Sequence, residues 1–362
     1  MKKFKLLSFM LALSLLFSLT ACGGGAQSSQ PSQEESPSPS VSQPAESEPV
    51  QVEPSQAPVE TVAAPIHLTV LSGPTGVGAA KLLNDVDNGS AAQEYEYTIA
   101  TANEELTAML ANGETDIATM ASNVALNYYN KTNGSITVIA LGTLGVLHIL
   151  EGNGGTSIQS VADLAGKTIL APGQGANPEY ALRHILTENG LDPDSDVTLE
   201  FYTDATEITA KLLSGEAECA MLPVPAATAA IAKSEGKVRA ALDLTEEWNA
   251  LDTGSQLIMT AVVVRTAFLE EHPEAVNAFL EEYASSIDYV NNNIEDAAQL
   301  IAGYGITPSA AIAAKAIPQC HLVCITGSDM QPAIDGYFSV LYNANPNSIG
   351  GSLPDDNFYY VP

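Results

Sequence analysis

The chain has 362 residues, long enough for two domains or one large folded body, and 46% are hydrophobic, which excludes disorder throughout. Thirteen Lys and Arg stand against 43 Asp and Glu, a formal net charge of -30. Phosphate backbones would be repelled, so no nucleic-acid partner is expected, and a basic membrane-surface protein is excluded equally.

Lys2, Lys3 and Lys5 precede an uncharged run from Leu6 to Leu19. That run is too short to cross ~30 Å of hydrocarbon as a helix. A basic n-region before a short apolar stretch reads as an export signal. Leu19-Thr20-Ala21-Cys22 then leads into Gly23-Gly24-Gly25. This is similar to a bacterial lipoprotein signal, with residues 1–22 as the signal and Cys22 as the lipid attachment site. An ordinary secretory peptide with a chance Cys is the bland alternative. Residues 23–65 hold 8 Pro, 9 Ser, 6 Glu and 6 Gln, with no aromatic and no basic residue. Such a segment cannot bury enough apolar surface to offset its ordering entropy, and reads as a disordered tether. Its root-mean-square span as a flexible coil is ~35 to 40 Å. A lipid-anchored body on such a tether would be extracytoplasmic, held at the cell membrane without a spanning helix.

From Ile66 onward short apolar runs alternate with helical patterns. Strands are predicted at 66–71, 95–100, 117–120 and 137–141. Helices are predicted at 76–83, with Thr75 as N-cap, and at 104–112, stopped by Gly113. A second series follows: strands at 168–171, 197–202, 219–222 and 238–242, helices at 178–188 and 225–234. A long apolar strand at 257–264 returns the chain to the first lobe. Val276, Phe279, Leu280, Tyr283, Ile287 and Val290 mark one face of a C-terminal helix. Residues 105–118 match 207–220 at seven of 14 positions, each copy reading helix, Gly stop, acidic turn, buried strand. Duplication and convergence both remain open. Either way the pattern predicts an α/β body of two lobes, with parallel sheets covered by helices.

Several stretches carry a resemblance together. They are Asn112-Gly113-Glu114-Thr115-Asp116-Ile117-Ala118, Asp163-Leu164-Ala165-Gly166-Lys167-Thr168-Ile169 and the turn Pro172-Gly173-Gln174-Gly175. Val262-Val263-Val264-Arg265 and Phe268-Leu269-Glu270-Glu271-His272-Pro273-Glu274 complete the set. In this order, behind a lipobox and tether, they resemble the substrate-binding lipoproteins of ABC importers. The nitrate/sulfonate/taurine and thiamine-precursor branch of type II periplasmic binding proteins is the nearest branch. The resemblance implies a periplasmic-binding-protein-like fold, two lobes joined by two crossing strands with the ligand in the cleft. The crossings would fall near 146–152 and 258–264. Lobe one would be 66–147 plus 264–362, and lobe two 148–263. It also implies ABC permease transmembrane subunits as partners and delivery of a solute to them. The run from Asn345 to Pro354 matches no binding motif.

Catalytic constellations are missing from the sequence. The five His are scattered, none in a His-Glu-x-x-His pattern, and no Gly-x-Ser-x-Gly occurs. No enzyme activity, cofactor or metal is therefore expected. An extracellular enzyme using cleft carboxylates, or an adhesion or sensor lipoprotein, are the competing readings. Gly166-Lys167-Thr168 lacks the Gly a P-loop needs at position 161, which is Val161, and precedes a strand instead of following one. Cys320-His321-x-x-Cys324 reads as buried small hydrophobes in preference to a metal site.

The loops expected at the cleft are 72–78, 101–105, 121–123, 142–148, 173–179, 204–207 and 223–225. They contain Glu104, Glu105, Glu179, Asp204 and Glu207, with His148 as the only basic type and no Arg or Lys. Arg is the expected grip for a sulfonate or similar anion. The small-molecule ligand is thus expected to be a neutral or cationic heterocycle or amine. Thr75, Gly76, Asn123, His148, Gln174 and Asn177 are the predicted ligand-binding residues. They sit at strand-to-helix turns and at the first crossing, where such folds bind ligands.

Overall fold

The structure is a computed structural model that describes residues 65–362. The export signal, Cys22 and the tether as far as residue 64 lie outside the described residues. In chain order the elements begin with β1 Ile66–Leu71, α1 Ala80–Asp87, β2 Tyr95–Ala100, α2 Asn103–Asn112, β3 Ile117–Ala121, α3 Ser122–Thr132 and β4 Ile136–Thr143. The middle of the chain supplies β5 Leu147–Glu151, β6 Thr168–Pro172, α4 Asn177–Glu188, β7 Thr198–Tyr202, α5 Ala205–Ser214, β8 Cys219–Pro223, α6 Ala226–Lys233, β9 Arg239–Asp243 and α7 Leu244–Asn249. The last part holds β10 Thr260–Arg265, α8 Thr266–Glu271, α9 Pro273–Asn292, α10 Ile294–Gly303, α11 Ala310–Ala316, β11 Leu322–Ile325 and α12 Met330–Ala344.

Two sheets result, a six-stranded one in the order β11-β4-β10-β3-β1-β2 and a five-stranded one in the order β7-β6-β8-β5-β9. This is the two-sheet α/β arrangement that the resemblance implies. The pairs expected from alternating strands and helices, β1 with β2 and β3, and β6 with β7 and β8, are parallel. The expectation of purely parallel sheets is corrected, however. β10 runs antiparallel to β3 and β4, β11 to β4, and β5 to β8 and β9. The reason is connectivity. β5 follows β4 after three residues and passes into the other sheet with no crossover helix, so nothing turns it to match its neighbours.

The return strand is shorter than its apolar run. Met259 N–H donates to Thr143, while the Ile258 and Met259 carbonyls accept from Ser122 at the start of α3. The backbone of these residues is spent on other elements, so strand pairing begins at Thr260. β10 lies wholly in the six-stranded sheet and β5 in the five-stranded one. The chain has therefore changed sheets by Leu147 and returned by Thr260, and the 263/264 boundary read from the sequence falls inside β10. Helix α1 also begins later than predicted. Residues 74–79 form 3-10 turns, Gly73 and not Thr75 occupies the N-cap position, and no side chain caps it.

The internal repeat has one local structure in both copies. α2 ends at Gly113 (φ 73°) before β3, and α5 ends at Gly215 (φ 84°) before β8. A left-handed residue there lets the C-cap close without a Cβ clash. Each repeat strand is interior to its sheet, and both are buried. The predicted face of α9 is buried in full, from Val276 through Val290. Ser286, one buried hydroxyl on that helix, donates to the Gly78 carbonyl at 2.6 Å and accepts from Leu82 N–H at 3.1 Å.

Two charged pairs pin strand ends. Asp116 receives Arg265 and the backbone N–H of His67, tying β3 to β10 and β1. Burial pushes its carboxyl up, but those donors outweigh burial and hold it below the usual carboxylate range. Glu151 is placed similarly against Arg239 at 2.6 Å, joining β5 to β9.

Candidate functional site

A cavity of about 770 Å³ lies where α2 and α3 of the six-stranded sheet approach α4 of the five-stranded sheet. Its size suits a small metabolite. Asn103 and Glu104 come from the first turn of α2, Asn123, Asn127 and Lys131 from α3, Asn177 and Pro178 from the first turn of α4. Ala108, Ala121, Val124, Ala176 and Met259 supply apolar surface between them.

Local sequence explains each wall. Ser122 anchors the start of α3 by its N–H and hydroxyl to the Met259 and Ile258 carbonyls, at 3.0 and 2.7 Å. This leaves Asn123, Asn127 and Lys131, spaced by four, on one helix face turned to the cavity. On the other wall Gly173 and Gly175 adopt positive φ of 82° and 71°, and Pro178 stands in the first turn of α4. Buried Glu179 accepts from Gly175 N–H at 2.7 Å and from Arg183 Nε at 2.7 Å, which locks the turn.

Asn177, like Gln93 away from this cavity, is a buried amide without partners. Its side chain is 4% exposed, and neither carboxamide atom has a hydrogen-bond partner. An unpaired buried amide costs about 1 to 3 kcal/mol. Asn177 is one of the residues lining the cavity, and its carboxamide atoms are themselves sealed from solvent.

The predicted site residues divide. Asn123 and Asn177 are brought together in this cavity, from opposite walls. Thr75, Gly76, His148 and Gln174 lie outside its lining. Thr75 and Gly76 belong to the 3-10 stretch after β1, where a Cβ on Gly76 would stand 2.4 Å from the Leu71 carbonyl oxygen. That Gly serves close packing of backbone. Gln174 is exposed at the tip of its turn. His148 is 3% exposed in β5, 3.9 Å from the Asp243 carboxylate. Its burial pushes the imidazole below the ordinary histidine range, against the pull of Asp243. Asp243 also lies 3.4 Å from His321, whose other ring nitrogen meets the Gly145 carbonyl at 2.9 Å. These groups tie strand junctions together beside the first passage between sheets. Cys22 is outside the described residues.

Asn103 falls in the expected loop 101–105, whereas Asn127 and Lys131 on the body of α3 and Met259 before β10 lie outside every expected cleft loop. Asn103, Asn127, Lys131 and Met259 line the cavity, and Lys131 puts a cation where the loop inventory had none. The signal was present in the four-residue spacing from Asn123, which places three polar residues on one face of α3. Of the cavity lining, Glu104 is the only carboxylate. Cys320 and Cys324 are free thiols, pushed up by burial to about 12 and about 11.

Known proteins place this geometry in a family. The profile of the family described as NMT1/THI5 like matches residues 92–297, more than half of the chain. An ABC transporter protein from Parabacteroides distasonis is similar in structure, with a TM-score of 0.69 at 23% identity, over 82% of this chain and 98% of that one. The periplasmic aliphatic sulphonate binding protein SsuA of Escherichia coli gives 0.64 at 16% identity, over 82% and 92%. The alkanesulfonate-binding protein SsuA of Xanthomonas axonopodis pv. citri, bound to MOPS, gives 0.55 at 15%, over 81% and 96%. No curated protein matches the sequence. The two sheets, the cavity between their helices and the family match converge, and the chain belongs to the NMT1/THI5-like family, with the fold of periplasmic binding proteins.

Proposed function

We propose that this protein is an extracytoplasmic solute-binding lipoprotein, anchored through Cys22, which captures a small molecule in the cleft and delivers it unchanged to an ABC permease. The observation that carries the reading is the metabolite-sized cavity between the helices of the two sheets, lined by Asn123 on one wall and on the other by Asn177, whose buried carboxamide has no partner in the protein. The polar tether and the names of the structural neighbours support the transport setting.

The ligand is a neutral or cationic solute. Where α2 and α4 start at the cavity, the first turns already hold Glu104, Glu105 and Glu179. These carboxylates offset the positive helix ends that would otherwise favour an anion. Lys131 lies eight residues along α3 from Asn123, ~12 Å at helical rise, and is exposed. That cation is thus remote from Asn123 at the start of α3, whose first turn holds no carboxylate. Bidentate anion recognition would need an Arg there.

Thermal-shift screening of amines, neutral heterocycles and sulfonates tests the reading. A solute present at 100 times its Kd stabilises by ~2.7 kcal/mol. An amine or heterocycle should raise the melting temperature and be recovered intact. Stabilisation by sulfonates alone would refute the ligand class, and turnover of the bound compound would refute carriage.

A further inference from the structure

The C-terminal run from Asn345 to Pro354, without a binding motif in the sequence, occupies a specific place. α12 packs on both sides of the molecule. Its Tyr337 meets Trp248 of α7 edge-on at 5.6 Å, while the adjacent Phe338 meets Phe358, which in turn packs on Tyr129 of α3 at 5.0 Å. The loop that follows α12 then bonds to both cleft walls. On α3, Asn127 Nδ2 donates to the Asn347 carbonyl at 3.0 Å, and Asn130 Nδ2 donates to the Ile349 and Ser352 carbonyls at 2.7 and 2.8 Å. On α4, the Tyr180 hydroxyl accepts from Asn345 Nδ2 at 3.0 Å. Gly350 fits against α3 at a φ of 83°, where a Cβ would stand 2.8 Å from Asn130 Cβ.

We propose that the loop from Asn345 to Ser352 is a strut that sets the spacing of the two cleft walls, positioning Asn123 and Asn127 of α3 against Asn177 of α4. Its importance for binding rests on the solute-binding reading of that cleft. Three features argue for a strut over a passive tail. It reaches α3 and α4, the two helices whose first turns form opposite walls. Its bonds to α3 are made by side chains of α3 itself, and one of them, Asn127, lines the cavity. The loop's own link to α4 is a single hydrogen bond, three residues after Asn177 in the same helix, so it can be cut while the packing of α12 on α4 stays.

The test is hydrogen–deuterium exchange on the full chain without solute, comparing wild type with Tyr180→Phe and with Asn345→Ser. Phe keeps the ring packing. Ser keeps an oxygen that can cap the Asn347 N–H but is too short to reach Tyr180. Both variants should speed exchange about fivefold in residues 121–128 and 173–180 together, the effect of one net hydrogen bond lost. Tyr129→Phe, which removes only a bond from α3 to Asp355, should leave 173–180 at the wild-type rate. Faster exchange confined to 345–352, or wild-type rates throughout, would overturn the strut. Because no solute is present, that outcome leaves the cleft reading standing, and failure to find a solute leaves the strut standing.

Discussion

Asn177 is a residue whose cost to folding and value to binding separate cleanly. Replacing it with Ala removes two unpartnered buried atoms and preserves helix propensity. The ligand-free Asn177→Ala protein is therefore expected to melt at or slightly above the wild-type temperature, while solute-induced stabilisation is lost. Paired melts with and without the stabilising solute measure both. His148 makes a different residue-scale prediction. Burial first, then the nearby His321, lowers its affinity for a proton, against the attraction of Asp243 and Glu246. Above its unfolded value of 6.5 the imidazole is neutral in both states and costs nothing. As the pH falls below that, the unfolded chain gains a proton the folded chain resists, so stability declines toward the lowered folded value. His184, also lowered chiefly by burial, adds an effect of the same sign. Urea melts at pH 7.5 and 5.5 should show this loss, and His148→Gln should reduce it.

At the scale of elements, the strut predicts a sharp position. Gly350→Ala would force a side chain into the left-handed region and against Asn127 and Asn130. A loss of about 2 kcal/mol is expected, read as a lower urea midpoint with an unchanged slope. The sequence made most elements legible because their apolar periods and glycine stops are local properties. β1, β2, α2, β3 and the buried face of α9 could be read that way. β5 and the extent of β10 could not. Residues 147–151 are placed as a crossing strand by the resemblance and not by any local period, since their neighbours β8 and β9 come later in the chain, and Ile258 reads as strand although its carbonyl is committed to Ser122. The site was legible to a similar degree. Asn123 and Asn177 stand at strand-to-helix turns, where a general rule finds ligands. Asn127 and Lys131 lie within a helix, visible only by following one face of α3. Thr75 and Gln174 stand at equally plausible turns, but the packing of Gly76 on Leu71 and the outward tip at 174 set them outside this cavity.

For the whole molecule, two sheets exchange strands through short passages and the C-terminal strut spans them. Occupants of the cleft touch α3 and α4 at once, so a ligand should stabilise both halves by mass action. The strong acidic balance is consistent with a body kept soluble by its own charge and with a guest that is not an anion. The measurement closest to the central claim is retention. Purified full-length protein is incubated with a mixture of small metabolites, freed of unbound solute and denatured, and the released compounds are identified by mass. The account predicts a neutral or cationic compound recovered in its original form at about one per chain, and absent from Asn177→Ala treated alike. Equal retention by Asn177→Ala, a retained anion, or recovery of a chemically altered compound would contradict it.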